Sequence, residues 1–139
     1  MSQRKHTSQH YEQLLRDLKD RLLVMSNKAE LMISDSMKSL DDRSPVLARE
    51  VIERDDELDR MEIEIDDLCF KIMALEQPVA SDLRFLATAF KIVRDLERFG
   101  DLGVNIAERA EEFLVEPEVQ PLVDLPVMAR VAQRLLHDS

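Results

Sequence analysis

An all-α fold, an antiparallel three-helix bundle followed by the start of a fourth helix, is predicted by three observations. The 139-residue chain holds 2 glycines, no tryptophan and 4% aromatic residues against 35% charged ones, a composition rich in straight-chain helix formers and poor in what strands favour. Its apolar residues recur at steps of three and four over three long stretches, which keeps them on one helical face. Ser-Pro and Gln-Pro pairs separate those stretches and punctuate helices for physical reasons.

The first run is Tyr11, Leu14, Leu18, Leu22, Met25, Ala29, Met32 and Leu40, which predicts a helix over about 8–40, with residues 1–7 disordered ahead of it. Asp41-Asp42-Arg43 breaks the pattern. Ser44-Pro45 restarts it, because a serine oxygen caps free N–H groups and proline has no N–H to lose at the first helical position.

The second helix is expected over 45–75, with an apolar ridge of Val51, Leu58, Met61, Ile65, Leu68 and Ile72, and ends where Pro78 forces Gln77 out of the helical region. A third run fills about 80–114. There Leu83, Leu86, Phe90 and Val93 form one ridge, and Phe85, Ala89, Ile92, Leu96, Gly103 and Ala107 a second about 110° round the helix. Residues 8–115 make one bundle in this reading. Pro117, Pro121 and Pro126 mark a linker over 116–126, and Met128, Val131 and Leu135 open a fourth helix over 127–139.

The formal net charge of −10 argues against nucleic acid as a partner, since phosphate contacts need clustered lysine and arginine. The excess is local: residues 41–77 carry 13 acids against 5 bases. Single Cys69 reads as a buried, reduced thiol. The chain contains no apolar run near the ~20 residues needed to span a bilayer and no signal-peptide core. A soluble, cytoplasmic protein is expected.

On the second helix Asp55, Asp59, Glu62 and Asp66 follow at steps of four, three and four, a single stripe about 90° from the apolar ridge at ~100° per residue. On the third, the ridge Leu83-Leu86-Phe90-Val93 runs on into Glu97, Asp101 and Asn105. Facing carboxylates repel unless arginines, protons or a metal ion compensate. Arg60, Arg94 and Arg98 are at hand for a salt-bridged surface. Hard oxygen ligands on two packed helices are also how carboxylate-bridged metal sites are assembled. Di-iron enzymes of that design need a Glu-x-x-His on each of two helices, and no histidine lies between His10 and His137; redox catalysis is not expected.

Two blocks, Gln77-Pro78-Val79-Ala80-Ser81-Asp82-Leu83-Arg84 and Asp95-Leu96-Glu97-Arg98-Phe99-Gly100-Asp101, resemble the third-helix signature of the PhoU family. Ala48-Arg49-Glu50-Val51-Ile52-Glu53-Arg54-Asp55, then Met61-Glu62 and Ile65-Asp66-Asp67, resemble its second helix. The resemblance implies a three-helix repeat with a Glu/Asp-x-x-x-Asp metal motif, here Glu97 and Asp101, with Asp55, Asp59 and Glu62 as counterparts. The metal it implies is iron, in a multinuclear cluster. It also implies partner-binding or structural roles for Asp82, Arg84 and Arg98. The role it implies is regulation of phosphate uptake and restraint of phosphate-starvation signalling. Such a protein is a non-enzymatic adaptor between a phosphate ABC transporter and a sensor histidine kinase at the inner membrane. The family's second repeat is absent here, so a fragment or a short homologue that forms a homodimer is expected. A carboxylate-bridged metal enzyme and a purely structural dimerisation module are the competing functions.

Overall fold

The computed structural model describes residues 2–75, 80–115 and 125–138. Five helices follow one another: α1 (Ser2–Asp41), α2 (Pro45–Glu53), α3 (Asp55–Leu75), α4 (Ala80–Val115) and α5 (Leu125–Asp138). The expected all-α bundle is observed, and cross-helix pairs give its directions. Arg21–Glu64, Lys28–Glu57 and Arg54–Asp35 step up α1 as they step down α3 and past its start. Tyr11 donates to Asp82 at 2.9 Å near the starts of α1 and α4, so α1 and α4 run alike and α2–α3 runs against both.

The first turn forms as its residues dictate, with one departure. Leu47 N–H donates to the Ser44 hydroxyl at 3.1 Å and Pro45 opens α2, the cap expected of Ser-Pro. At the end of α1, Arg43 N–H reaches Leu40 C=O and Ser44 N–H reaches Ser39 C=O at 3.0 Å, the paired bonds of a Schellman ending. That ending needs a left-handed residue, and Arg43 supplies it at φ 50°.

The second arm departs from the single helix expected over 45–75. Arg54 interrupts it, still right-handed at φ −69° and ψ −16°, with its N–H directed at the carbonyls of Glu50 and Val51. Its guanidinium binds Asp35 of α1, so the interruption coincides with a tie between arms. Upstream, α1 begins at Ser2, ahead of the apolar periodicity. The Gln77-Pro78 boundary and residues 116–124 of the expected 116–126 linker lie outside the described residues, and residues 125–126 open α5.

The core seam of α4 draws on both expected ridges, Leu86 and Val93 from the first and Ala89, Leu96, Gly103 and Ala107 from the second. Buried Leu86, Ala89, Val93, Leu96, Gly100, Gly103, Ala107 and Ala110 form the seam, alternating steps of three and four as in a coiled coil, and Ile106 is buried beside it. Phe90 is half-buried beside Phe70, and Leu83 and Ile92 are exposed. The two ridges were the flanks of one stripe, and the stripe's centre packs most tightly because α1 lies directly over it. Small residues fill its second half, so the α4 backbone there comes close to α1. On α1 the seam runs from Leu14 through Met32 and continues into buried Ser36 and Ser39, whose hydroxyls donate to the carbonyls of Ile33 and Ser36. Those bonds remove the cost of burying them.

On the far side of α1 and α4 a second cluster joins Ile33 and Ile106 to Ala129 and Ala132 of α5. His137 meets Glu30 at the end of α5. Ala129 and Ala132 face inward with Leu136 packed beside them, and their short side chains let α5 lie close; Val131 and Leu135 of the expected ridge face outward. Part of the α4 surface is thus covered by this chain's own α5.

Candidate metal centre

Asp55, Asp59, Glu62 and Asp66 lie along α3 facing α4, because Leu58 and Ile65 between them are buried and fix the rotation of the helix. Glu97 and Asp101 lie on α4 beside Leu96 and Gly100, which point into the core. The two stripes therefore meet at the rim of the α3–α4 contact. One oxygen from each of Asp55, Glu97 and Asp101 lies within 4.8 Å of the others, and so does one from each of Asp59, Glu62 and Glu97. Glu97 belongs to both triads. All five carboxylates expected from the sequence come together.

The electrostatics are those of an overcrowded site. Removal from water and the neighbouring Glu62 and Asp59 push the Glu97 carboxyl up to about 9. Burial, then Asp59 and Asp101, raises Asp55. Among the described residues, buried oxygens of Asp55, Asp66 and Glu97 lack any hydrogen-bond partner, and an unpartnered buried carboxylate oxygen is costly. Such oxygens are acceptors only, so each calls for a proton, a water or a cation.

The donor set fits a hard cation. Oxygens that share one ion at about 2.0–2.6 Å are at most about 4–5 Å apart, which both triads satisfy with carboxylates alone. Two ions with Glu97 bridging them is the arrangement these triads allow. Arg94 closes the outer end, its guanidinium nitrogens 2.8 Å from Glu62 and 3.0 Å from Asp66, and these carboxylates raise its own pKa.

The other three residues singled out by the sequence lie elsewhere or outward. Asp82 accepts the Tyr11 bond fifteen positions up α4 from Glu97, roughly 22 Å at 1.5 Å per residue. Arg84 is exposed, its carbonyl holding the Thr88 hydroxyl. Arg98 is largely exposed, 3.7 Å from Asp95. Two participants were not assigned from the sequence. Asp66 was read as part of the stripe but not as a member of the site, and Glu108, whose charge helps raise Asp55, was not read at all. Its signal is present, seven residues after Asp101 on the same face.

The antiparallel arms of this helical bundle thus gather acids from two helices into two joined oxygen triads. The chain belongs to the PhoU family: the PhoU domain model matches residues 22–110. It is 37% identical over 125 residues to an Aquifex aeolicus protein named phosphate-specific transport system accessory protein PhoU homolog, covering 90% of this chain and 57% of that one. The Escherichia coli protein of the PhoU name is 33% identical over 96% of this chain and 56% of its own. The crystal structure of PhoU from Pseudomonas aeruginosa superposes with a TM-score of 0.84 at 34% identity, over 91% of this chain and 61% of that one. This chain thus spans about half the length of the curated relatives it matches.

Proposed function

We propose that the chain is a non-enzymatic, PhoU-like regulator of phosphate uptake that binds hard cations at Asp55, Asp59, Glu62, Glu97 and Asp101. The observation that carries the metal part is the pair of oxygen triads sharing Glu97, with buried carboxylate oxygens left unpartnered. Iron is the proposed metal, by family resemblance, and two ions bridged by Glu97 is the form the triads favour. The role itself is supported by relatives that carry the name of a phosphate transport accessory protein.

In this reading the protein restrains phosphate-starvation signalling as an adaptor between the phosphate ABC transporter and a sensor histidine kinase. It works in the cytoplasm beside the inner membrane. Among the described residues no helix is long and apolar enough to cross a membrane. Exposed Leu23, Leu31 and Ile63 favour self-association, and a homodimer is part of the proposal.

Metal analysis of protein purified without chelator, beside Glu97→Gln with Asp101→Asn, tests the site; equal metal content in the two refutes it. Capture from cells grown with and without phosphate tests the adaptor role, which fails if neither transporter nor kinase is recovered in either condition. Light scattering at micromolar concentration decides the dimer.

A further inference from the structure

The carboxylate triads sit directly above one unusually close contact. A Cβ built on Gly100 would lie 2.2 Å from Leu58 Cδ2, and 3.9 Å from Met32 Cε, so any side chain there forces Leu58 to move. Gly100 stands three residues after Glu97 and immediately before Asp101; Leu58 stands three after Asp55 and immediately before Asp59. The knob is therefore bracketed by ligands on its own helix, and the hole by ligands on the facing one. Leu58 is buried and branched, held between Gly100 and the α1 seam.

We infer that Gly100 is a positioning residue for the cation site: by admitting Leu58 it sets the α3–α4 separation at which both triads close. The inference rests on the cation-binding reading above. Its reach is short because the triads span at most 4.8 Å while hard cations tolerate only tenths of an ångström in ligand distance. A helix displaced by one methyl group opens both triads at once, Glu97 being common to them. Gly103 provides the contrast. A Cβ there meets the backbone of Met32 and Ile33 at 3.2–3.3 Å, on α1 and away from α3.

The test compares Gly100→Ala, Leu58→Ala, the double variant and Gly103→Ala by calorimetric titration with Fe(II) or Mn(II) and by thermal melts. Gly100→Ala is expected to weaken binding about 10–100-fold, the usual loss when a supporting residue is displaced, with helicity retained. Leu58→Ala in that background is expected to restore most of the affinity while lowering the melting temperature further, because it removes the clashing methyl groups and leaves a cavity. Gly103→Ala is expected to lower stability with little change in affinity. Affinity that follows stability through all four variants overturns the inference. Should Gly100→Ala not fold alone, Gly100→Val in the Leu58→Ala background puts bulk back at the contact and is expected to bind more weakly than Gly100→Ala in that background, and equal affinity in the two overturns the inference.

If the unaltered chain binds neither metal, the cation reading fails, and the positioning claim is read without metal. Spin labels at exposed positions 60 and 98, with Cys69 buried out of reach, report the α3–α4 separation. An increase in Gly100→Ala that Leu58→Ala reverses supports the claim, and an unchanged separation overturns it.

Discussion

Arg94 and Glu62 are bonded across α4 and α3 at 2.8 Å, so one carboxylate of the outer triad is neutralised before any cation arrives. The same guanidinium holds Asp66 at 3.0 Å. Arg94 therefore does two opposing things: it steadies the acidic rim and it repels an incoming ion.

Replacing Arg94 with Met separates these effects. Metal-free protein is expected to lose stability by less than about 1 kcal/mol, since the pair is half exposed and screened. Cation affinity is expected to rise several-fold as a fixed positive charge a few ångströms from the site is removed. Titration at two salt concentrations checks both, and weaker binding would mean that Arg94 chiefly orients Glu62.

Glu97 makes the metal-free protein pH-dependent in an unusual direction. Its folded pKa of about 9 lies above the unperturbed value of 4.5, so across that window the folded chain keeps a proton that the unfolded chain has released. Stability from this group is fully present below the unfolded value and is lost as pH rises through the folded one. The melting temperature in chelator is expected to fall from about pH 5 to about pH 9 and to flatten in Glu97→Gln. Cation binding runs the other way, strengthening as pH rises, because a ligand carboxylate must be deprotonated. A slope unaltered by Glu97→Gln would place the proton on another group.

Phe90 looked central from its ridge and is peripheral in fact, tilted at 52° against Phe70 with ring centroids 5.4 Å apart. Truncating it to Ala is expected to cost about 1–2 kcal/mol, short of the 3–5 kcal/mol of a fully enclosed phenylalanine. Leu86→Ala, in the seam proper, is expected to cost about 2–5 kcal/mol. Denaturant unfolding of the two variants ranks them.

Arg43 occupies a left-handed position at φ 50°, where an L side chain is strained by about 1–2 kcal/mol. Arg43→Gly is expected to stabilise the chain by about 0.5–1 kcal/mol after the entropy that glycine gains in the unfolded state is deducted. Thermal melts at fixed pH decide it.

The fold was legible because helical periodicity is a property of local sequence. Leu14 to Met32 on α1 and Val51 to Ile72 on the second arm are the buried positions expected, Met61 alone being half-buried. The acid stripes were legible for the same reason, as +4 and +3 steps survive any detail of packing. What sequence did not resolve was rotation within a broad apolar arc. On α4 the seam takes residues from both expected ridges, and Gly100 and Ala110, which neither ridge included, have little hydrophobic bulk to announce themselves. On α5 the same smallness hid Ala129 and Ala132 behind Val131 and Leu135. The interruption at Arg54 had no periodic signature either, since the apolar ridge passes through it in step.

Those two alanines also set an order of events. Helix α5 meets the bundle through Ala129, Ala132 and half-buried Leu136, with a surface His137–Glu30 pair at its end, whereas α1 and α4 share a long buried seam from Leu14 to Met32 on one side and Leu86 to Ala110 on the other. Detaching α5 exposes a small apolar strip and leaves that seam intact, so the amides of residues 125–138 belong to a separate, cheaper opening unit than those of the three arms. Hydrogen exchange would thus divide the chain into two cooperative blocks, with the carboxylate site wholly inside the slower one.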